Sequence, residues 1–292
     1  MLAYRHAFHA GNHADVLKHL VLAQLLAYLN EKDKGWRYVE THAGAGGYSL
    51  ESTYAMKHRE FDAGVGRLLE LAAAGGKAGT LPAPLRAYLD LVREFNDGGA
   101  LRQYPGSPAF ARALMRAQDQ LRLFELHPTE HKILDSYLGT EPGCEVRIGD
   151  GYASLKSVLP PPTRRGLTLI DPPYELKTDY TKALGALREA LTRFPEGMVM
   201  VWLPQLQLVE AAQLPQRLKA SAQAQAKKGW LHARLSVAEA GERGYGLLGS
   251  SVFIANPPHT LFATLQPVLP WLAQALAQFD GATGFVERST SS

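Results

Sequence analysis

Arg37-Tyr38-Val39-Glu40 runs straight into Thr41-His42-Ala43-Gly44-Ala45-Gly46-Gly47. Tyr38 and Val39 suit a short buried strand, and the glycines behind them allow a turn tight enough to bring backbone against a ligand. A strand, a glycine-rich turn and a following helix open a nucleotide-binding α/β unit. In such a unit the acidic residue that holds the ribose hydroxyls ends the next strand, about 20 residues on. Here the best candidate is Glu125, 81 residues beyond Gly44. About 60 residues are therefore surplus to the minimal unit. They read as helix: residues 61–71 and 85–95 are periodic, with a Gly/Ala/Pro-rich stretch at 72–84 between them. The expectation is a small helical insertion over 53–103, beside the ligand crevice, in a core made of 1–52 and 104–292.

Away from that turn, short β-type runs alternate with helical segments, the pattern of a mostly parallel sheet covered on both faces. Candidate strands lie at 37–40, 121–125, 145–148, 167–170, 198–203, 232–237 and 251–254, seven in all. The first helix is expected over 13–30, with Leu17, Val21, Leu25 and Tyr28 on one stripe, Asn12 as N-cap and Asp15 in the capping-box position.

The composition fits a folded chain of this kind. Of 292 residues, 46% are hydrophobic and 20% charged, so a sizeable core can be buried. The net charge of +3 permits an anionic partner without demanding one. Cys144 is the single cysteine, which excludes a disulfide framework and a multi-cysteine zinc site and fits a reducing compartment. No apolar stretch approaches the ~18 residues of a spanning helix, and the first residues lack a signal-peptide core. A cytoplasmic protein is expected, with no membrane contact.

The sharpest local signal is Asp171-Pro172-Pro173-Tyr174, directly after the apolar strand at 167–170. Two prolines hold the backbone stiff and extended. The Pro172 carbonyl is then free to face the crevice at the strand's C-terminal end, where open α/β sheets bind ligands. The Asp171 carboxylate and that carbonyl offer two acceptors to the two donors of an exocyclic NH2 group. Tyr174 adds a face on which a planar base can stack. A proline-rich turn whose aspartate merely caps the next segment is the plainer alternative.

These four residues are also the signature of amino-group methyltransferases that use S-adenosylmethionine. The chain further resembles, block by block, the RlmJ-type large-subunit (23S) ribosomal RNA adenine-N6 methyltransferases. The blocks are Tyr4-Arg5-His6, Phe8 to His19, Thr41 to Gly46, Tyr104-Pro105-Gly106-Ser107-Pro108, Glu125-Leu126-His127-Pro128, Asp150-Gly151 and Asp171 to Glu175. The resemblance implies a Rossmann-like class I methyltransferase fold, in which a flipped-out adenine takes a methyl group in line and S-adenosylhomocysteine is left. It places Gly44 and Gly46 at the methionine portion of the cofactor, Glu125 at its ribose, and Asp150 with Gly151 at its adenine. Lys18, His19 and His42 become candidates for charge-assisted bonds to its carboxylate, Ser107 and Asp171 also lie at the cofactor, and Tyr4 and His6 touch the target nucleotide. Glu125 as a solvated strand end and Asp150-Gly151 as an ordinary turn remain the bland alternatives.

A dinucleotide fingerprint is incomplete, since Ser49 stands where its third glycine would be. That disfavours a nicotinamide oxidoreductase. His6, His9, His13 and His19 suggest a metal centre, but Gly11 and Asn12 interrupt helical i, i+4 pairing and methyl transfer needs no Lewis acid, so no metal is expected. Between 211 and 235 lie Arg217, Lys219, Lys227, Lys228 and Arg234 with Trp230 and no acidic residue, either an RNA contact or a solvated basic face. The expected partner is 23S rRNA, protein-free or early in assembly, bound by a monomer. DNA adenine and a protein glutamine amide present the same chemistry to Asp171, and a non-catalytic RNA-binding protein is the remaining class.

Overall fold

The Arg37–Glu40 run forms β1 at the centre of the sheet, and the rest of the chain is placed from it. The structure, a computed structural model, describes residues 6–74, 81–239, 241 and 246–289. The further strands are β2 (Gly47–Ser49), β3 (Gln103–Pro105), β4 (Gln120–Glu125), β5 (Cys144–Ile148), β6 (Gly166–Ile170), β7 (Met198–Gln205), β8 (Trp230–Ser236), β9 (Gly249–Ala255) and β10 (Thr283–Arg288). The helices are α1 (His13–Asn30), α2 (Thr53–His58), α3 (Arg67–Ala74), α4 (Ala83–Glu94), α5 (Ser107–Leu114), α6 (Pro128–Leu138), α7 (Gly151–Val158), α8 (Lys177–Arg193), α9 (Val209–Gln225) and α10 (Leu261–Ala275).

The large sheet runs β10-β8-β9-β7-β6-β1-β4-β5. Pairing is parallel from β5 through β4, β1 and β6 to β7, while β9 and β10 enter antiparallel. The parallel part is doubly wound: the chain leaves β1 for β4 and β5 on one side, then returns to β6 and β7 on the other. That reversal opens a crevice beyond the C-terminal ends of β1 and β6, where the Thr41–Gly46 turn and the diproline follow. The Rossmann-like class I methyltransferase architecture expected from the resemblance is present. All seven expected strands form, each within two residues of its expected ends.

The sheet has an eighth strand that was not expected. In β10 only Phe285 and Val286 are large and apolar, every residue is half-buried or exposed, and the strand lies on an edge against β8. An edge strand with one solvated side carries too weak an alternation to stand out in sequence.

Two cores lie on the two faces of the sheet because successive strand side chains alternate. Leu167 and Leu169, Met198 and Met200, Val252 and Ile254 pack with α1, α4, α5 and α10. Val199 and Val201, Ile170, Phe253 and Ala255 pack with α7, α8 and α9. Helix α1 has the expected bounds and Asn12 caps it, its Oδ1 accepting from the N–H groups of Ala14 and Asp15 at 2.9 and 3.1 Å. Its single apolar stripe is a correction: His13 to Ala23 are all buried, with Tyr28 only partly so. The Asp15 carboxylate departs from the capping box as well, accepting from the Gly11 N–H at 2.9 Å rather than from Asn12.

The 53–103 segment leaves the core between β2 and β3, which pair antiparallel and hold its two ends together. It contains α2, a π-helical turn over Asp62–Gly66, α3 and α4. Phe61, Val65, Leu68, Leu85, Tyr88, Leu89 and Val92 are buried from it in the same core as α1. Among the described residues no helix is long and apolar enough to cross a membrane.

Candidate active site

A cavity of about 370 Å3 lies in the crevice, walled by the N-terminal segment, α1 and the turns after β1, β4, β5, β6 and β7. Asp171, Pro172 and Tyr174 line it together with His6, Lys18, His19, His42, Gly44, Ser107, Glu125, Asp150 and Gly151. Residues far apart in sequence are therefore gathered at one place, Lys18 and Asp171 being 153 apart. Tyr4 lies outside the described residues, as do Glu242 to Tyr245 of the glycine-rich loop between the last two expected strands.

Beyond β6 the diproline carries the chain into Tyr174, whose φ of +52° is a left-handed value uncommon for a bulky residue. The surroundings impose it. The Tyr174 hydroxyl donates to the Trp202 carbonyl at 2.8 Å, and its ring packs 4.7 Å from that of Tyr180 and 6.0 Å from that of Trp202. Only 6% of the residue is exposed, so the ring is a fixed wall of the cavity rather than a movable flap.

Asp171 belongs to a string of alternating charges. Its Oδ2 accepts from Lys18 Nζ at 2.7 Å, Lys18 also meets Asp15 Oδ1 at 3.0 Å, and Asp15 Oδ2 meets His6 Nε2 at 2.8 Å. The side chains of Lys18, Asp15 and Asp171 are 5%, 2% and 13% exposed. Burial alone raises the Asp15 carboxyl, but the facing charges of His6 and Lys18 overcome it and hold the group well below the usual carboxylate range. The Lys18 ammonium, expected at a cofactor carboxylate, is thus bonded to two carboxylates of the protein.

Two of its expected companions are held toward the neutral form. His19 is buried beneath α1, its Nδ1 within 2.8 Å of the Tyr104 hydroxyl and its ring 4.8 Å from that of Phe110; burial holds its pKa well below the ordinary 6.5. His42 sits edge-on to Tyr152 with its Nδ1 2.8 Å from Thr41 Oγ1, and burial lowers its pKa despite nearby Asp171 and Glu125. Burial thus favours the neutral form of both imidazoles and weighs against the charge-assisted role expected of them.

Gly44 holds φ +60°, and an added Cβ would strike the Tyr48 hydroxyl. In return its N–H reaches Glu125 Oε2 at 2.7 Å, while the His127 N–H reaches Glu125 Oε1 at 2.7 Å. Each carboxylate oxygen keeps a second lone pair, so Glu125 is oriented in advance to accept a pair of vicinal hydroxyls. Asp150 Oδ1 caps α7 through the Tyr152 and Ala153 N–H groups, so the plain capping role holds whatever else the exposed carboxylate does. At Gly151, which also lines the cavity, a Cβ would collide with the Thr41 backbone, so its smallness lets α7 approach the turn after β1. Gly46 is a correction. It does not line the cavity; its carbonyl takes the Gly106 N–H at 2.9 Å and a Cβ would meet Leu134.

Glu40 went unrecognised in sequence. It is wholly buried at the end of β1, accepting from the Tyr38 hydroxyl at 2.9 Å and from the Ser107 hydroxyl. Burial lifts its pKa to about 8, with Ser107 and Tyr38 opposing and Asp171 assisting. A glutamate closing a buried strand ahead of a glycine turn was the available signal. The N-terminal histidines diverge: His6 goes to Asp15, His9 to Glu60 at 3.0 Å, His13 has its Nδ1 buried without a partner, and His19 meets Tyr104. Among the described residues no three His, Cys, Asp or Glu side chains gather as a metal centre. The donor set does fit S-adenosylmethionine: a diol-ready carboxylate at Glu125, a backbone turn at Gly44 and an apolar lining.

Comparison with known proteins agrees with this geometry. A family model described as ribosomal RNA large subunit methyltransferase D, RlmJ, matches residues 33–288. The chain is 42% identical over 276 residues to "Ribosomal RNA large subunit methyltransferase J" of Escherichia coli (strain K12), covering 94% of each. It is 39% identical over 277 residues to the protein of the same name from Haemophilus influenzae, again covering 94% of each. A crystal structure from Legionella pneumophila superposes with a TM-score of 0.85 at 33% identity, covering 97% of this chain and 99% of that one. A site assembled from the blocks quoted above, on this fold and at this level of identity, shows that the chain belongs to the RlmJ family of large-subunit ribosomal RNA methyltransferases.

Proposed function

We propose that this protein methylates N6 of a specific adenine in 23S rRNA, acting in the cytoplasm as a monomer on protein-free or early-assembly RNA. One observation carries the reading: the Asp171-Pro172 corner after β6 and the Glu125 carboxylate at the end of β4 face the same cavity from either side of β1. When bound, S-adenosylmethionine supplies an electrophilic methyl group on a sulfonium. Glu125, Gly44 and Asp150 are the residues to hold it.

The chain's own work is positional. The N6 lone pair of adenine is delocalised into the ring, so the amine is a poor nucleophile. Accepting its hydrogens at Asp171 and the Pro172 carbonyl favours a pyramidal nitrogen and fixes its direction. Lys18 holds Asp171 by Oδ2, and Oδ1 has no protein partner among the described residues. Positioning of this kind supplies up to ~7–11 kcal/mol in the best intramolecular cases. Asp171 can also receive the proton released after transfer. A paired base cannot reach a recessed carboxylate, so the target nucleotide leaves its stack and lies against the fixed Tyr174 ring, near His6.

The test is transfer of tritiated methyl groups to protein-free 23S rRNA, followed by mass spectrometry of the nucleosides. Label in N6-methyladenosine is expected from the native protein, and at least a 100-fold loss from Asp171→Ala with cofactor binding retained. Undiminished transfer by that variant removes Asp171 from the mechanism, and label in another nucleoside overturns the adenine assignment.

A further inference from the structure

The opposite end of the sheet holds a second cavity, of about 210 Å3, which the reaction above does not use. Its lining comes from four separate places: the loop after α1, the loop before β6, the turn between α8 and β7, and the chain on either side of β8 and β9. Lys32, Arg164, Arg165 and Lys228 contribute cations, and Glu196 the one carboxylate. The lining therefore carries a surplus of three positive charges.

The cleft is built. Asn256 is 2% exposed, holds φ +54°, and uses its side chain on the backbone of two other loops: Oδ1 takes the Lys228 N–H and Nδ2 donates to the Pro195 and Gly197 carbonyls, each at 2.8 Å. Arg164 also holds a left-handed φ, +49°, which sets its guanidinium 5.8 Å over the Phe194 ring. Arg165 is tied to the Leu29 carbonyl at the end of α1 at 2.7 Å. Lys32 and Lys228 form no ion pair among the described residues, and the 3.5 Å contact of Arg164 with Glu196 is exposed on both sides. The basic run singled out in sequence divides here: Lys219 is bonded to Glu287 at 2.7 Å, whereas Lys228 faces the cleft.

We infer that this cleft binds backbone phosphate of the RNA substrate, at a point remote from the reacting base. The inference rests on the RNA reading above. Gly166 at the start of β6 lines the cleft and Asp171 beyond its end lines the active site, a separation of about 17 Å at 3.3 Å per residue. A large folded RNA reaches both ends of the sheet at once. A hairpin shorter than the surface path between the two ends, held by its target loop, reaches only the active site.

The test compares the native protein with the double variant Lys32→Gln/Lys228→Gln, both at exposed positions. Binding to a domain-length 23S fragment and to a short target hairpin is measured across a salt series, with cofactor binding as the check on folding. For the long RNA the salt slope is expected to fall by about one to two, since each phosphate contact contributes ~0.7–0.9. KM is expected to rise several-fold with kcat unchanged, and the hairpin to show neither effect. Glu196→Gln acts in the opposite direction and tightens the long RNA. An unchanged slope and KM in the double variant overturns the inference while leaving the methyltransferase reading intact. If the native protein methylates no RNA yet the long-RNA slope still depends on these lysines, the activity reading fails and the cleft stands. Inorganic phosphate bound by the native protein but not the variant, with RNA binding unmoved, assigns the cleft to free phosphate and also overturns the inference.

Discussion

Lys18 is the residue on which the charged string depends, because it separates two carboxylates that are almost wholly out of water. Removing one member of such an arrangement leaves uncompensated charge in the interior, which typically costs about 3–5 kcal/mol. Lys18→Met is therefore expected to lower unfolding stability by about 3 kcal/mol in urea. A loss below about 1 kcal/mol would mean that solvent screens the pair despite its burial. Glu40 poses the converse case. It sits among hydroxyl donors with no cation bonded to it, so its carboxyl resists ionisation and Ser107 and Tyr38 supply partial compensation. A residue can thus be both buried and titratable near neutrality when its partners are neutral.

At the scale of elements, the helical excursion between β2 and β3 braces the N-terminal segment. The Val65 N–H donates to the Gly11 carbonyl at 2.9 Å, Glu60 accepts from Asn12 Nδ2 at 2.9 Å and meets His9 Nδ1, and the Phe8 ring packs on Tyr54 and His58 of α2. The hydrogen bond from Glu60 raises the His9 pKa against the effect of burial. Gly64 is the point of closest approach, where an added Cβ would run into the Gly11 carbonyl and the Asn12 backbone. Backbone cannot yield as a flexible side chain does. Gly64→Val is expected to destabilise by about 1–3 kcal/mol. Because Asn12 caps α1, which carries Asp15 and Lys18, the same change should depress methyl transfer more than cofactor binding. Equal loss of both, measured by calorimetry and transfer assay, would show that the brace supports the core and not the site.

For the molecule as a whole, stability should respond to pH from two sides. Folded Glu40 keeps its proton to about pH 8, whereas the unfolded chain releases it near the ordinary 4.5. The folded state therefore binds more protons between those values, and stability falls as pH rises through that window. His13 is buried with a pKa lowered to about 4 by desolvation, against 6.5 when exposed. The unfolded chain takes up that proton first, so stability falls as pH drops from 6.5 toward 4. Between pH 4.5 and 6.5 the two effects oppose each other and nearly cancel, so calorimetric Tm should stay level there and fall along an alkaline limb from pH 6.5 to 8, by at most about 1.4 kcal/mol per pH unit for one proton. Glu40→Gln, which keeps the shape and removes the charge, should flatten the alkaline limb and uncover the His13 fall in stability below pH 6.5. An alkaline limb unchanged by that substitution would place its origin elsewhere.

Local chemistry in the chain was enough to determine the α/β alternation, the seven strongest strands, the bounds and cap of α1, and the two turns that face the ligand. Each of these depends on residues close in sequence: apolar runs, glycines that permit positive φ, prolines that stop a strand. The clustering of Asp171, Glu125, Gly44 and Lys18 was also legible, because ordered blocks on a doubly wound sheet converge where strand order reverses. Tertiary structure alone decided what burial and long-range partners decide. It pushed His19 and His42 toward the neutral form, tied Lys18 to two carboxylates, turned Gly46 into a packing position, and brought Glu40 into contact with Ser107. It also drew Lys32, Arg164, Arg165 and Lys228 into one cleft. Charge state and contact across the fold depend on desolvation and on neighbours far away along the chain, and periodicity carries no record of either.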